Sequence, residues 1–561
     1  QNGEIDDMLR RRIKSARLRT VLTGIIMLVI LYLELSGKGS ALYPTFLQPG
    51  RNGLLYILID LQFLCFDGII MREGLLRGFV SLAKRKPTPE SVMSVSLLLS
   101  AAYAVVTAFA DPTAVTYGLI SLPAAAAVFC CALTDFLTAV KDAGCFRVIA
   151  SQRPKYVAEK LRGTAREGTE FYKYLLDDSE LYTVKRADFV DGFFDRTNRR
   201  PEGEDLFGFL IAIILVAGIA LSGLQLYLGK TAYEAFTAFS KLAAFAMPLS
   251  AFFIINLPVI TANIVARKSG SALIGRAVGE EYADASVISF ADTEVYPANR
   301  VKITSIKTYG DYRIDLIIND LAKVFSFVGG PLKQVTSNML EGGADSSYTS
   351  ARLIESASDG ICVVIDGKEM FLGKKSYLRR YRFETPADAK DDRFEEAGGS
   401  VMFVTMNDML IAKVYVRYRI SEQFNSLLRD MYRAGMCVGI KTVDPNITTA
   451  LLERTVRYKK CPISILKAGE VGDVEGHTDR IDSGIVSTAS LHTFLRMFIV
   501  CDKVRHVTRS NGFINILSIV LAFFVAFFLA FTGELATVSS FYPVLFQLLW
   551  LLPIGVISFI L

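Results

Sequence analysis

Apolar and polar positions are distributed very unevenly along this chain. A helix needs about 20 residues to cross the roughly 30 Å hydrocarbon core of a bilayer, and eight apolar stretches reach that scale: 20–36, 53–71, 93–111, 117–136, 207–228, 239–266, 512–532 and 541–561. Two long polar insertions, 137–206 and 267–511, interrupt the series. The larger alternates short apolar runs with amphipathic ones. VISFA at 287–291, GICVVID at 360–366, VMFVTM at 401–406, MLIAKVYV at 409–416 and MCVGIKTV at 436–443 predict strands, while 420–435 and 446–458 predict helices. That alternation indicates an α/β unit on a mainly parallel sheet. Acidic, glycine-containing stretches at 341–347 and 388–400 predict surface loops.

Charge orients these segments. The first is preceded by Arg10, Arg11, Arg12, Lys14, Arg17 and Arg19, a basic arm (1–19) that predicts a cytoplasmic amino terminus without a cleaved signal. Alternating from there, the linkers assigned outside (37–52, 112–116, 229–238, 533–540) hold only Lys38, Arg51 and Lys230. The inside linker 72–92 holds Arg72, Arg77, Lys84, Arg85 and Lys86. Both insertions then face the cytoplasm, with the plasma membrane as the expected location and the lipid bilayer as the first partner.

Composition agrees: 52% hydrophobic and 21% charged residues describe neither a disordered chain nor an ordinary soluble enzyme. A net charge of +6 over 561 residues gives no basis for nucleic acid binding. The eight cysteines (65, 130, 131, 145, 362, 437, 461, 501) lack a CxxC spacing and read as reduced, buried, small apolar residues. Three histidines argue against histidine-rich metal chemistry.

Four helices, a small insertion, two helices, a large α/β insertion and two more helices form an order that resembles the P-type ATPases, in particular their heavy-metal branch. The sixth segment, AFAMPLSAFFIINLPVITANIVARKSGSALI, resembles the family's proline-broken helix. Pro248 and Pro258 each remove a backbone donor, which in a membrane frees carbonyls for an ion or leaves a structural kink. With Asn256 and Asp60 they are the candidate transport path. Asp60 and Asp67 lie seven apart on one helical face, and Asp60 reads equally as a functional carboxylate or a buried hydrogen-bonded one. Glu34 and Asp135 are expected near the two ends of their helices. The resembling helix has no Cys-Pro-Cys triad.

Farther on, the VISFA strand delivers Asp292 to the place of the family's phosphorylated aspartate. Phosphoryl chemistry needs such a carboxylate at a strand's carboxyl end, among backbone donors and cations. Thr293, Glu294, Val295 and Tyr296 stand where the family has Lys, Thr, Gly and Thr, and Glu294 adds negative charge beside a phosphate pocket. In GIKTVDPNITTALLE, Thr442 and Asp444 match the T-G-D-N motif, Val443 replaces its glycine and Pro445 intervenes before Asn446. Arg419 keeps the basic residue of the D-x-x-R hinge, with Val416 in place of the aspartate. Gly472 and Asp473 are relics of the magnesium loop, and Asp473 is the candidate magnesium ligand. Residues 137–206 contain no T-G-E motif. SDGICVVIDGKEMFLGKKSYLRR at 357–380 resembles the nucleotide-binding domain of the branch; Gly373 and Lys374, with Lys375, are candidates to meet a nucleotide. A hairpin turn explains Asp366-Gly367 without a ligand, and solvent-facing lysines explain the pair at 374–375.

The resemblance implies a polytopic α-helical membrane protein of about 8 transmembrane helices, with a cytoplasmic haloacid-dehalogenase-like α/β domain and an inserted nucleotide-binding-like domain. The expected division is a basic arm (1–19), four membrane helices (20–136), a reduced actuator-like domain (137–206), two helices (207–267), the phosphorylation-like domain (268–308 and 415–510), the nucleotide-binding-like domain (309–414) and two helices (511–561). Phosphoryl transfer rests on positioning and charge stabilisation, so loss of so many motif residues removes many powers of ten in rate. The expectation is a pseudo-ATPase that senses a ligand or regulates a protein partner, with Mg and ATP as cofactors only where their binding is retained. A divergent ATP-driven cation transporter and a structural membrane protein that docks a partner are the alternatives.

Overall fold

The computed structural model describes residues 2–560 except 37–45, 47, 163–164, 177–178, 341–345, 387, 468–473 and 475. Among the described residues, eight helical spans are long and apolar enough to cross a membrane, as the apolar stretches predict. Three helices run well beyond the predicted segments: Asn2–Ser36, Ser121–Ile149 and Leu491–Thr532. The excess turns are held because they carry apolar faces of their own. Phe146 and Ile149 pack with Val157, Ala272 and Val486, and Phe494, Phe498 and Cys501 pack with Tyr182, Tyr282 and Ile485. Continuous helices therefore join the membrane core to the α/β core.

The sixth predicted segment is three pieces: Ala232–Ala246, a 3-10 turn Leu249–Phe252 and Asn256–Lys268. Pro248 lies at the break. Pro258 falls in the first turn of the last piece, where a missing N–H interrupts no ladder bond.

The soluble part holds two sheets. The first, of eight strands, runs Ile463–Lys467, Cys437–Thr442, Ala285–Ala291, Glu180–Asp191, Lys155–Leu161, Ile485–Ser487 and Ser271–Leu273, with His477–Asp482 also pairing Glu180–Asp191. Its pairings from Ile463–Lys467 across to Glu180–Asp191 are parallel. The second sheet is antiparallel, in the order Val301–Thr308, Met409–Tyr418, Gly399–Met406, Lys368–Gly373, Gly360–Ile365 and Ala351–Ser356. Helix Ile314–Val328 buries Ile317, Leu321, Val324 and Phe325 in the core shared with Ile361, Val363, Val404 and Val414. Asp366 and Gly367 both take positive φ, the geometry of a tight hairpin.

Two expected boundaries change. Segment 137–206 does not form a sheet of its own: Lys155–Leu161 and Glu180–Asp191 enter the sheet that carries Asp292, and Glu180–Asp191 pairs directly with the Asp292 strand through Leu181, Tyr182 and Thr183. The inserted sheet spans 301–418, wider than 309–414, because Val301–Thr308 pairs with Met409–Tyr418 as its edge. All eight cysteines are free and all but Cys65 are buried, as their sequence context predicts.

Candidate functional site

Three neighbouring parallel strands end at one edge of the first sheet. Val287, Ile288 and Phe290 are fully buried, so the central strand reads as a continuous apolar run; Asp292 follows at its carboxyl end. The next strand ends at Thr442, whose hydroxyl donates to Asp292 Oδ2 at 2.6 Å. The backbone N–H of Asp444 donates to Thr442 Oγ1 at 3.0 Å. Tyr418 donates to Asp444 Oδ2 at 2.6 Å, and Asn446 donates to Asp444 Oδ1 from its backbone and side-chain nitrogens at 2.9 and 3.1 Å. Lys467 ends the third strand and donates to the carbonyls of Asp444 and Ile447 at 2.8 and 3.3 Å. The structure thus brings Asp292, Thr442 and Asp444 together. Asp473 and Gly472 lie outside the described residues.

Burial governs the charges here. Desolvation pushes the Asp292 carboxyl up to about 7, against the lowering influence of the Thr442 hydrogen bond. It likewise raises Asp444 and brings Lys467 down to about 8. A carboxyl that is half protonated near neutrality is a poor nucleophile. Access is also closed: Asp292 and Thr442 are fully buried, and Asp444 is almost so. Gly330, with positive φ, packs beside the carboxylate at ordinary contact distance, since a Cβ there would stand 3.5 Å from Oδ2. Asp292 Oδ1 is buried without a side-chain partner among the described residues, and an incoming donor could satisfy it. Tyr418 donates to one oxygen of Asp444 and Asn446 to the other, so this carboxylate is held by side chains of the site itself.

Residues after Asp292 are fastened to the 137–206 segment. Tyr156 and Arg186 donate to Glu294 Oε1 at 2.6 and 2.7 Å, and the Arg186 guanidinium lies 5.0 Å from the Tyr156 ring centre. Glu294, read from sequence as an obstacle to phosphate, is therefore the anchor of a cross-strand tie.

A cleft of about 530 Å³ opens between the inserted sheet and the loop after Thr442, bordered by Asp359, Lys374, Lys375, Asp392, Glu395 and Arg454. Lys374 donates to Glu395 at 2.7 Å and to Ser400 Oγ at 2.8 Å, and burial lowers its pKa. Ser400 donates to Asn446 Oδ1 at 2.8 Å. A continuous chain, Lys374–Ser400–Asn446–Asp444–Thr442–Asp292, thus links the cleft to the sealed carboxylate. Gly373 serves packing: a Cβ there would meet the Asp359 carbonyl at 2.6 Å.

In the membrane part, Asp60 is buried and accepts from Ser121 Oγ. Asp67 is buried with no hydrogen-bond partner for either oxygen among the described residues. Asn256 donates to the Phe252 carbonyl at 3.0 Å, and beside the break Ser250 donates to Asn515 at 2.6 Å. Asp60 and Asn256 do not meet: Asp60 bonds at the start of helix Ser121–Ile149, Asn256 within its own turn. Sequence reading missed the fully buried Lys241, whose ammonium donates to the carbonyls of Val538 and Gly118 at 2.7 and 3.2 Å. Glu34 accepts nearby from Ser539 Oγ and the Ser540 N–H, at the start of the last helix. It also missed Lys467 and Tyr418; a lysine closing the apolar run after the Asp444 loop was the available signal.

No family model and no curated protein matches this sequence. Among the solved structures similar to this chain are two that match it over almost its whole length. One is a zinc-transporting PIB-type ATPase in the E2.Pi state: 12% identity, TM-score 0.49, 97% of this chain and 99% of that one. The other is a second crystal structure of a zinc-transporting PIB-type ATPase: 13% identity, TM-score 0.47, 95% and 98%. The catalytic domain of a CPx-ATPase, CopB-B, matches 36% of this chain and 69% of its own length at 13% identity and TM-score 0.24.

Proposed function

We propose that this chain is a P-type-ATPase-like pseudo-ATPase. On this reading it sits in the plasma membrane with its amino terminus and α/β domain in the cytoplasm, senses a nucleotide in the Lys374 cleft without hydrolysing it, and passes its state to a protein partner. The observation that carries this is the full burial of Asp292, whose carboxylate is held by Thr442. A phosphorylated aspartate must be reached by a polyanion and then by water, and this carboxylate is exposed to neither in the arrangement described. The tie from Glu294 to Arg186 and Tyr156 supports the same conclusion, since it holds the 137–206 segment in one sheet with the nucleophile position. In the cleft, Asp359 is paired with Arg380, Asp391 with Lys413 and Glu395 with Lys374, while Arg454 donates to the Glu395 carbonyl, so Lys375 is the lysine offered to phosphate oxygens. Vanadate-sensitive ATP hydrolysis by the purified protein is the test. The expectation is none above background while ATP raises thermal stability; hydrolysis abolished by Asp292→Asn would overturn the reading.

The convergence of Asp292, Thr442, Asp444 and Lys467 at one sheet edge favours a second reading, a divergent ATP-driven cation transporter. It requires Asp292 to become exposed and predicts ion-stimulated hydrolysis.

A further inference from the structure

The connection between the second and third membrane spans is a helix of its own. Gly53–Ile70 ends at Met71, and Arg72–Ala83 follows before Pro89–Ala110 begins. Ser94 Oγ donates to the Leu75 carbonyl at 3.1 Å and Ser91 Oγ to the Gly78 carbonyl at 3.0 Å. The connecting helix is thereby fixed beside the first two turns of Pro89–Ala110, at the depth where that span enters the bilayer. A Cβ on Gly78 would collide with Ser94 Oγ and the Glu90 carbonyl, so the glycine face is the one that turns inward. Arg200 donates to the Pro87 carbonyl at 3.1 Å, which places this connection on the α/β side of the membrane helices.

The opposite face is apolar and uncovered. Leu76, Phe79, Val80 and Ala83 recur at i, i+3, i+4 and i+7, the spacing of one helical stripe. Leu76 is 63% exposed and Val80 49%, Ala83 is exposed and Phe79 half-buried. The charges around the stripe fall into two groups. Glu73 lies 3.7 Å from Arg19 and Arg77 3.8 Å from Asp135, on the side of the helices Asn2–Ser36 and Ser121–Ile149. Asp205, which begins the next span beside Pro87, is paired with Arg200 at 2.8 Å. Glu90 is half-buried, within electrostatic reach of Asp135 and Glu204 on the protein side. Arg72, Lys84, Arg85 and Lys86 are exposed at the two ends of the stripe, with no ion pair among the described residues. All four uncommitted exposed charges are therefore positive. An apolar stripe flanked by basic side chains is the form of a helix that lies in a bilayer interface and attracts anionic headgroups.

We propose that the helix Arg72–Ala83 docks on an anionic lipid leaflet on the α/β side of the membrane. Its stripe of Leu76, Phe79, Val80 and Ala83 sits among the upper acyl chains, and Arg72, Lys84, Arg85 and Lys86 hold headgroup phosphates. Through Ser91 and Ser94, Arg19 and Asp135, the helix passes the presence of those lipids to three neighbouring spans.

The test uses the full chain in nanodiscs of phosphatidylcholine with a minority of phosphatidylglycerol. Trp550 is the single tryptophan, so Leu76→Trp in a Trp550→Phe background reports on the stripe alone. Its emission should be quenched by brominated acyl chains and little by aqueous acrylamide; the reverse pattern would overturn the proposal. Native mass spectrometry of the lipid retained by the chain should show phosphatidylglycerol enriched about twofold or more over its share of the bilayer. Combining Arg72→Gln, Lys84→Gln and Lys86→Gln should remove most of that enrichment, and because all three side chains are exposed the fold should survive. Enrichment equal in the native chain and the triple variant would overturn the proposal by assigning the lipid to another surface. A dimer that Leu76→Glu dissociates would also overturn it, by giving the stripe to a second copy of the chain.

Discussion

Arg186 reaches from the strand Glu180–Asp191 to donate to Glu294 Oε1 at 2.7 Å, and the same carboxylate oxygen receives the Tyr156 hydroxyl at 2.6 Å. One acidic side chain, two residues beyond the nucleophile position, thereby fixes two strands of the 137–206 segment to the loop that a phosphoryl group would have to enter.

The strength of this tie is measurable by a double-mutant cycle. Arg186 is half exposed, so the ion pair itself should contribute no more than about 1 kcal/mol. Arg186→Ala and Glu294→Ala should each lower the thermal midpoint, and the double variant should lose less than the sum of the two, by a coupling of about 0.5–1 kcal/mol. Strict additivity would show that the contact contributes nothing.

Asp292 gives stability a defined pH dependence. Its folded pKa is raised to about 7 from the ordinary 3.8, so between those values the folded state binds more protons than the unfolded one. Stability is greatest at the acid end of that window and falls as pH rises through 7, at up to about 1.4 kcal/mol per pH unit. Lys467 acts in a higher window: its pKa is lowered to about 8 from 10.5, so stability recovers as pH rises above about 8. Asp292→Asn should flatten the decline between pH 4 and 7 and move the upper limb to lower pH, because the Asp292 charge helps to hold the Lys467 pKa up. Thermal unfolding across pH in both proteins checks this, and an unchanged acidic limb would mean the carboxyl is not the titrating group.

The relay from the cleft depends on Ser400, which is fully buried and both accepts from Lys374 and donates to Asn446. Ser400→Ala leaves the Asn446 carbonyl oxygen without this donor, at a cost of about 1–3 kcal/mol. Thermal unfolding gives the magnitude. The thermal shift produced by ATP should fall with it, since Lys374 loses one of its two anchors; an ATP response identical to that of the native chain would dissociate the cleft from the relay.

Lys241 predicts a severe phenotype from one membrane position. Its ammonium is fully buried and satisfies two loop carbonyls, those of Gly118 and Val538, which precede the helices Ser121–Ile149 and Phe541–Phe559. Lys241→Met keeps the stem and strands both carbonyls, so it should destabilise by about 2–5 kcal/mol in detergent. Lys241→Arg should recover part of that loss. Stability of the methionine variant equal to the native chain would refute the fastening role.

The parts of this molecule that were legible from sequence are those whose burial is local in the chain. Membrane segments show as apolar stretches because lipid surrounds them, and the strands ending at Asp292 and Thr442 show as apolar runs because both faces are covered. The joining of Glu180–Asp191 to Asp292's strand was not legible: its ELYTVKRADFVD alternates polar and apolar residues like an edge strand, and its partner lies about a hundred residues away in sequence. Lys241 stayed hidden within the otherwise apolar run SKLAAFA, since nothing near it in sequence shows that distant loop carbonyls will receive its charge. Asp292, Thr442 and Asp444 were found through a motif resemblance, but Gly330, which packs beside Asp292, belongs to a separate stretch with no motif of its own.

Fully buried, Asp292 should be inaccessible to phosphorylation. Incubating the purified chain with γ-labelled ATP and magnesium, followed by acid quench, measures this across a panel of metal ions. The expected result is no acid-stable label in the native protein and no difference from Asp292→Asn; label approaching one phosphate per chain that disappears in Asp292→Asn would show instead that the aspartate is a working phosphoacceptor.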